Sequence, residues 1–438
     1  MLKALIKRFI PQKLISSTFL IRHPRLLKER HRKSLIIKAT KKSREDKLRE
    51  LRDKGKIRCI FLCLFDSVWK CDSLYKLMIE NDRFEPVLLI CPVVNNGYEN
   101  MISRMESCYK YLEEKGYSAI KSFNPDTGQY IDIRNDLKAD ILIYTNPYEG
   151  LIDDRYYITH YPDLLSIYIP YAFQNNRDYY FCFNNFLQNL VWRYYIETEN
   201  IKTTACTAMI NKGKNLVVSG YPGIELLLDK NYTPKSPWAN DNRKRIIWAP
   251  HHTIHAAGPI HYSCFIEYSE FMIELAKKYH DKITIAFKPH PILKSKLYEI
   301  WGKEKTDKYY SEWENMDNTF IQEGDYIDLF LTSDAMIHDC GSFLIEYLYT
   351  NKPVMRMMND IPPESLYNDL ALKALDVYYK GFNKEDVESF IIDIINGSDT
   401  LKQSRSDFIS QYLLPPNGRT PSENILSDII FSIDNGIN

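Results

Sequence analysis

From Ile57 onward, short apolar runs alternate with stretches of helical periodicity, and after one interruption the alternation begins again. This double series constrains the fold more than any single motif, because strands separated by helices build parallel sheets covered on both faces. In the first series the pattern predicts strands at residues 57–65, 86–94, 139–144, 164–172 and 216–219, with helices over 70–82, 99–116 and 183–197. Residues 232–243 (YTPKSPWANDNR) carry two prolines and little apolar content, which marks a linker. In the second series strands at 245–249, 283–287, 319–321 and 354–357 alternate with helices at 265–280, 293–316, 383–396 and 403–413, and a last helix begins near Pro421. The expectation is two doubly wound α/β domains, residues 57–231 and 244–438, facing each other across a cleft. A ligand would lie between the C-terminal edges of their sheets.

Charge is distributed unevenly ahead of these domains. The formal net charge of the chain is zero, yet residues 1–58 hold 20 Lys and Arg against 5 Asp and Glu, a net of +15. Leu2, Leu5, Ile6, Phe9 and Ile10 recur at helical spacing among those bases, followed by Leu14, Ile15, Phe19 and Leu20. An apolar stripe with a basic rim suits an anionic lipid surface. Residues 1–56 are therefore expected to form a basic amphipathic helical extension, with residues 1–45 holding the protein on a membrane. No apolar run approaches the ~18–20 residues a span requires, so the expected location is peripheral, on the cytoplasmic face. The arm is accompanied by no nucleic-acid-binding module, and nucleic acid is not an expected partner. The nine cysteines show no C-x-x-C pair, which argues for a reducing compartment and against a disulfide framework or a zinc site.

The chemistry concentrates at strand ends of the second series. Residues 333–354 (SDAMIHDCGSFLIEYLYTNKPV) read as a strand, a polar end at His338-Asp339, a Gly341-Ser342 turn and a helix. Bare amides at a helix start favour an anion, and Glu346 lies one turn beyond Ser342 on the same face. The alternative for Ser342 is a plain N-cap. Further polar strand ends are Ala249-Pro250-His251-His252-Thr253-Ile254-His255 and Lys288-Pro289-His290-Pro291, and Thr420-Pro421 with Glu423 reads as the capped start of the last helix. Five histidines, His251, His252, His255, His290 and His338, are thus expected to converge on one sheet edge. None has the spacing and companion carboxylates of a metalloprotease helix, so no metal is assigned.

At these stretches the chain resembles the CDP-glycerol:poly(glycerophosphate) glycerophosphotransferases, the teichoic-acid type enzymes. Asp339, Ser342 and Lys352-Pro353 match that family's strand end, turn and following basic-Pro pair. Ala249-Pro250, Lys288-Pro289-His290-Pro291, Gly418-Arg419-Thr420 and Gly220-Tyr221-Pro222 resemble its other motifs, so that the likeness covers roughly residues 160–435. Gly341 and Cys340 depart from the family's doubled serine and preceding tyrosine. The Trp-His-Gly motif of its first domain is missing: Ile169-Pro170-Tyr171-Ala172-Phe173-Gln174 stands there, and the nearest histidine is His160. The resemblance implies a GT-B fold and transfer of a phosphoglycerol or related phospho-polyol unit from a CDP-activated donor. The acceptor would be a hydroxyl of a membrane-linked glycan or polymer, in cell-envelope or capsule synthesis, with no cofactor.

For that reaction the site must hold the acceptor in line and absorb charge on the leaving CMP. Gly341, Ser342, Arg419 and Thr420 are the candidates for the diphosphate, with His290 donating to the same oxygens, Lys288 adding positive field and His251 beside them. Glu346 is the candidate for ribose hydroxyls, and Tyr171 and Gln174 lie on the acceptor side. His252 is the expected general base, since imidazole titrates near neutral pH, with His251 and Asp339 as alternatives. A GT-B glycosyltransferase using a nucleotide sugar would employ the same diphosphate site. A nucleotide-sugar epimerase would share the two-domain shape but has no use for a membrane arm, and a non-catalytic scaffold would bind no nucleotide.

Overall fold

The computed structural model describes residues 24–65, 69–95, 97–254 and 262–438, the first seven of these as backbone only. A long helix α1 (Pro24–Arg52) leads into a seven-stranded sheet. Its strands are β1 (Ile57–Cys63), β2 (Phe84–Ile90), β3 (Ala119–Lys121), β4 (Ile141–Tyr144), β5 (Leu165–Tyr168), β6 (Arg193–Ile196) and β7 (Leu216–Val218), in the order β3-β2-β1-β4-β5-β6-β7. A second sheet orders β8 (Lys244–Ala249), β9 (Ile283–Phe287), β10 (Thr319–Ile321), β11 (Ala335–His338), β12 (Val354–Met357) and β13 (Tyr379–Gly381) as β10-β9-β8-β11-β12-β13. Every pairing within the two sheets is parallel. Both orders reverse direction beside their first strand, the doubly wound arrangement. The molecule has the GT-B fold.

Why the strands are apolar throughout is visible in β1. Ile60 and Leu62 pack into one core with Leu142 and Tyr144, while Ile57, Cys59, Phe61 and Cys63 pack into another with Ile141 and Ile143. Alternate side chains face opposite sides of the sheet, and both sides are covered. The second core is closed by α2 (Asp72–Ile79), α3 (Tyr98–Glu114) and, from the far end of the chain, Ile425, Ile429 and Ile433 of the last helix (Pro421–Asn435).

Three features differ from the sequence pattern. The helix predicted over 183–197 is two short helices followed by β6, whose Arg193, Tyr194, Tyr195 and Ile196 are all buried; aromatic and β-branched residues favour a packed strand, and their spacing imitated a helix. The edge strands β3 and β13 are only three residues long and left no apolar run to detect. Residues 232–243 form no helix or strand, yet the stretch is anchored, with Trp238 donating to Thr332 Oγ1 at 3.0 Å and Tyr232 to Asp328 at 2.7 Å. The apolar stripe at residues 2–20, and His255, lie outside the described residues.

The last helix also departs from the partition into residues 57–231 and 244–438. It crosses back to the first sheet, where Arg193 ion-pairs with Asp428 at 3.2 Å and the Ser422 amide donates to Glu225 at 2.5 Å.

Candidate functional site

The switch point of the second sheet lies between β8 and β11, where Ala249 is in register with His338. The segments leaving these strands are braced by Asp339, whose Oδ1 accepts the His251 amide at 2.5 Å and whose Oδ2 accepts the Cys264 amide at 2.7 Å. Asp339 is 1% exposed, and burial pushes its carboxyl up to about 6. Both oxygens are committed to the backbone, so Asp339 shapes the turn; the expectation that it faces the reacting groups is corrected.

The brace sets three imidazoles against one another. Ring centroids lie 4.3 Å apart for His251 and His252, 4.2 Å for His252 and His290, and 5.1 Å for His251 and His290. Burial, then the neighbouring positive groups, lowers their pKa values to about 2 for His251, about 4 for His252 and about 3 for His290. All three are neutral at physiological pH. One nitrogen from each falls within 4.8 Å of the others, a grouping able to hold a metal ion. Spacing along the chain conceals this cluster, because two strand ends supply it.

The hydrogen bonds favour an anion instead. The Thr253 amide donates to Nδ1 of His251 and the Ile292 amide to Nδ1 of His290, each at 3.3 Å. A neutral imidazole whose Nδ1 accepts carries its proton on Nε2, so these two rings present N–H donors. Lys288, Lys296 and Arg356 add positive field around them. Nδ1 of His252 is buried without a hydrogen-bond partner among the described residues.

The Gly-Ser turn adjoins this cluster through Tyr262. The Tyr262 ring packs 5.2 Å from His251, and a Cβ on Gly341 would meet that ring at 3.3 Å. Ser342 is exposed and its side chain makes no capping hydrogen bond, so the N-cap alternative does not account for it. The α-helix that follows (Phe343–Glu346) has only four residues before a 3₁₀ turn. Its dipole is correspondingly slight.

Other expectations are corrected. His338 is fully buried, with Nδ1 3.1 Å from the Cys340 carbonyl, so three described histidines converge and not four. Glu346 is 3% exposed and its carboxylate accepts from the Tyr326 hydroxyl, so burial closes it off from ribose. Thr420 spends its hydroxyl on the Glu423 amide in a capping box, and Arg419 donates to Ser427 at 3.1 Å. Both belong to the start of the last helix.

Lys288 is buried beside the cluster, held down to about 8 by desolvation, and donates to the Gly324 carbonyl at 2.9 Å. Arg356, in register with His338, was missed in the sequence; its guanidinium lies 5.9 Å from the rings of both Tyr262 and Tyr367. A basic residue within the apolar strand after the Lys-Pro pair was the available signal.

From the first domain, the segment after β5 closes against this site. Asn175 donates to the Gly341 carbonyl, Asn368 donates to the Gln174 carbonyl at 2.8 Å, and Asn176 pairs with Tyr367. Tyr171 and Gln174 lie on this segment; the Tyr171 carbonyl accepts from Tyr221 at 2.9 Å and the Gln174 amide donates to Glu197 at 3.0 Å. His160 precedes β5, at the opposite edge of the sheet, exposed and paired with Asp154 at 3.0 Å.

Residues 173–405 match the family described as CDP-Glycerol:Poly(glycerophosphate) glycerophosphotransferase, more than half of the chain. Among solved structures the chain is similar to the wall teichoic acid polymerase TagF, with 13% identity, TM-score 0.55, and 93% of this chain and 98% of that one covered. It is also similar to the Neisseria meningitidis UDP-GlcNAc 2-epimerase bound to UDP-GlcNAc, at 14% identity and TM-score 0.56, covering 86% of this chain and 100% of that one. The S. aureus MnaA–UDP structure gives 15% identity, TM-score 0.54 and coverage of 86% and 97%. No curated protein sequence matches the chain.

Proposed function

This chain belongs to the CDP-glycerol:poly(glycerophosphate) glycerophosphotransferase family, and from that premise we propose how its site works. It is a transferase that moves a phosphoglycerol unit from a CDP-activated donor to an acceptor hydroxyl in envelope polymer synthesis. The donor diphosphate lies against the imidazole cluster and the Gly341-Ser342 turn. His290 and His251 offer N–H groups to its oxygens, Ser342 offers its free hydroxyl, and Lys288 supplies charge. The attacking hydroxyl enters from the side of Tyr171 and Gln174. His252 takes its proton, through the Nδ1 that has no hydrogen-bond partner among the described residues.

As the acceptor oxygen bonds to the β-phosphorus, the bridging P–O bond to CMP breaks. The charge developing on CMP falls on donors already in place. The observation that carries this arrangement is the convergence of three neutral imidazoles beside an uncapped serine at the switch point of the second sheet.

Membrane attachment through residues 1–45 belongs to the same proposal, with the protein on the cytoplasmic face. No helix among the described residues is long and apolar enough to cross a membrane. Support comes from the outward stripe of α1, where His31, Leu35, Lys38 and Lys42 are all exposed.

The test is incubation with CDP-glycerol, CDP-ribitol and a panel of nucleotide sugars, followed by mass detection of the released nucleotide. CMP release is expected from a CDP-polyol. Release of a nucleoside diphosphate from a sugar donor would mean glycosyl transfer and sink the proposal.

A further inference from the structure

Lys70 is absent from every motif above, yet it is the first domain's only described ammonium that reaches Tyr326, a residue of the second domain. It follows β1 at the switch point of the first sheet, and its Nζ donates to the Tyr326 hydroxyl at 2.9 Å while lying 4.7 Å from that ring's centre. Lys288, which follows β9 in the second domain, places its Nζ 5.9 Å from the same ring. Among the described residues neither ammonium has a carboxylate within ion-pair distance; their direct partners are a phenol and the Gly324 carbonyl.

Among the described residues three acids face the pair. Glu346 is bound to the Tyr326 hydroxyl and feels Lys70, while Asp325 and Glu323 act on Lys288 from the loop before Tyr326. Asp325 and Glu323 are exposed and surrounded by water, so solvent screens them. Among the described residues Glu346 is the one buried carboxylate beside the buried Lys288 and the half-buried Lys70, one carboxylate against two ammonium groups. Positive charge drawn out of water without a partner is costly, and an anion entering between the domains would complete the set.

We propose that Lys70 is the first domain's contribution to the donor site, an ammonium that binds the diphosphate opposite Lys288 when the domains close. This rests on the donor assignment above. It assigns a phosphate contact to the domain that holds the acceptor, so the donor's charge is fully met only in the closed molecule. Closure and donor binding then favour each other, because the contact exists in one state only.

The experiment compares Lys70→Met, which keeps the length of the stem without its charge, with Lys70→Arg and the wild type. Binding of CDP and of cytidine is measured by calorimetry on the full chain, with thermal melting alongside. CDP affinity is expected to fall at least tenfold in Lys70→Met and to stay within a few-fold in Lys70→Arg. Cytidine, which has no phosphate, should bind all three alike. Equal CDP affinity in wild type and Lys70→Met overturns the role of Lys70, as does a lowered melting temperature with CDP affinity unchanged. A wild type that binds CDP no more tightly than cytidine overturns the donor site itself, a result distinct from either.

Discussion

At the scale of single residues, the site depends on which nitrogens and hydroxyls remain uncommitted. Ser342 and His290 meet that condition, so Ser342→Ala and His290→Ala should each lower turnover at least tenfold while leaving the melting temperature nearly unchanged. A hydrogen bond to a charged phosphate is worth about 1.5–3 kcal/mol. Wild-type turnover in either variant would make that residue structural. His252→Ala should abolish single-turnover transfer with CDP affinity retained, as expected of a group acting mainly in the transition state. His160→Ala, altered at the far edge of the sheet, should stay active; the opposite pattern would move the base. Acid sensitivity follows from the same burial. His338 is held down to about 3 by desolvation and then by Arg356, whereas an unfolded imidazole takes its proton near 6.5. The folded form resists that proton, so stability is full above about pH 6.5 and is lost as pH falls toward the folded value. At pH 5 the gap of about 1.5 units corresponds to about 2 kcal/mol. His251, His252 and His290 act in the same direction. Asp339 and Glu197, raised by burial to about 6 and about 7, oppose them. His338→Asn should therefore flatten the fall in unfolding free energy between pH 7 and pH 5 by close to one proton, and an unchanged slope would refute the assignment.

At the scale of elements, the Lys-Pro pair after the Gly-Ser helix shows how a motif residue can serve the fold. Lys352 donates to the carbonyls of Phe330, Leu331 and Ser333 at 3.0, 2.6 and 2.6 Å, closing the end of the helix Ile327–Thr332. Cations near orphan carbonyls stabilise a helix C-terminus. Lys352→Met should cost about 1–3 kcal/mol of unfolding free energy, since buried carbonyls would lose their donor. CDP affinity should hold, and a loss of affinity at unchanged stability would return Lys352 to the binding site. The example also shows what the sequence could convey. Strands buried on both faces, such as Ile57–Cys63 and Ile283–Phe287, stand out as unbroken apolar runs, so the central strands of both sheets were legible. The cluster of His251, His252 and His290 was legible as strand-end polarity, without the contacts between its rings. What escaped were tertiary commitments. The demands of two amides on Asp339 and of the Tyr326 phenol on Glu346 are set by partners remote in sequence, and residue type alone does not reveal that a polar atom is already spent.

At the scale of the whole molecule, the C-terminal half of helix α1 is packed into the first domain, which decides how membrane binding should be tested. Leu48 and Leu51 are buried, and Lys47 pairs with the buried Asp140 at 2.9 Å. Thr40 is buried as well, and Arg44 donates to the Leu190 carbonyl. Removing residues 1–45 would therefore strip packed groups from the fold along with the basic arm, and lost membrane binding would be confounded with lost stability. Removing residues 1–30 leaves all of those contacts in place. The exposed stripe that remains, His31, Leu35, Lys38 and Lys42, can then be neutralised separately by Lys38→Gln with Lys42→Gln. If the arm holds the protein on anionic lipid, sedimentation with phosphatidylglycerol-containing vesicles should fall sharply on removing residues 1–30, and further with the double substitution. It should also fall as salt rises, because exposed charges are screened over about 10 Å at 0.1 M. Melting temperature and CDP binding should be unchanged in both variants. Vesicle binding that survives the truncation, or that is indifferent to salt, would locate the attachment elsewhere on the molecule.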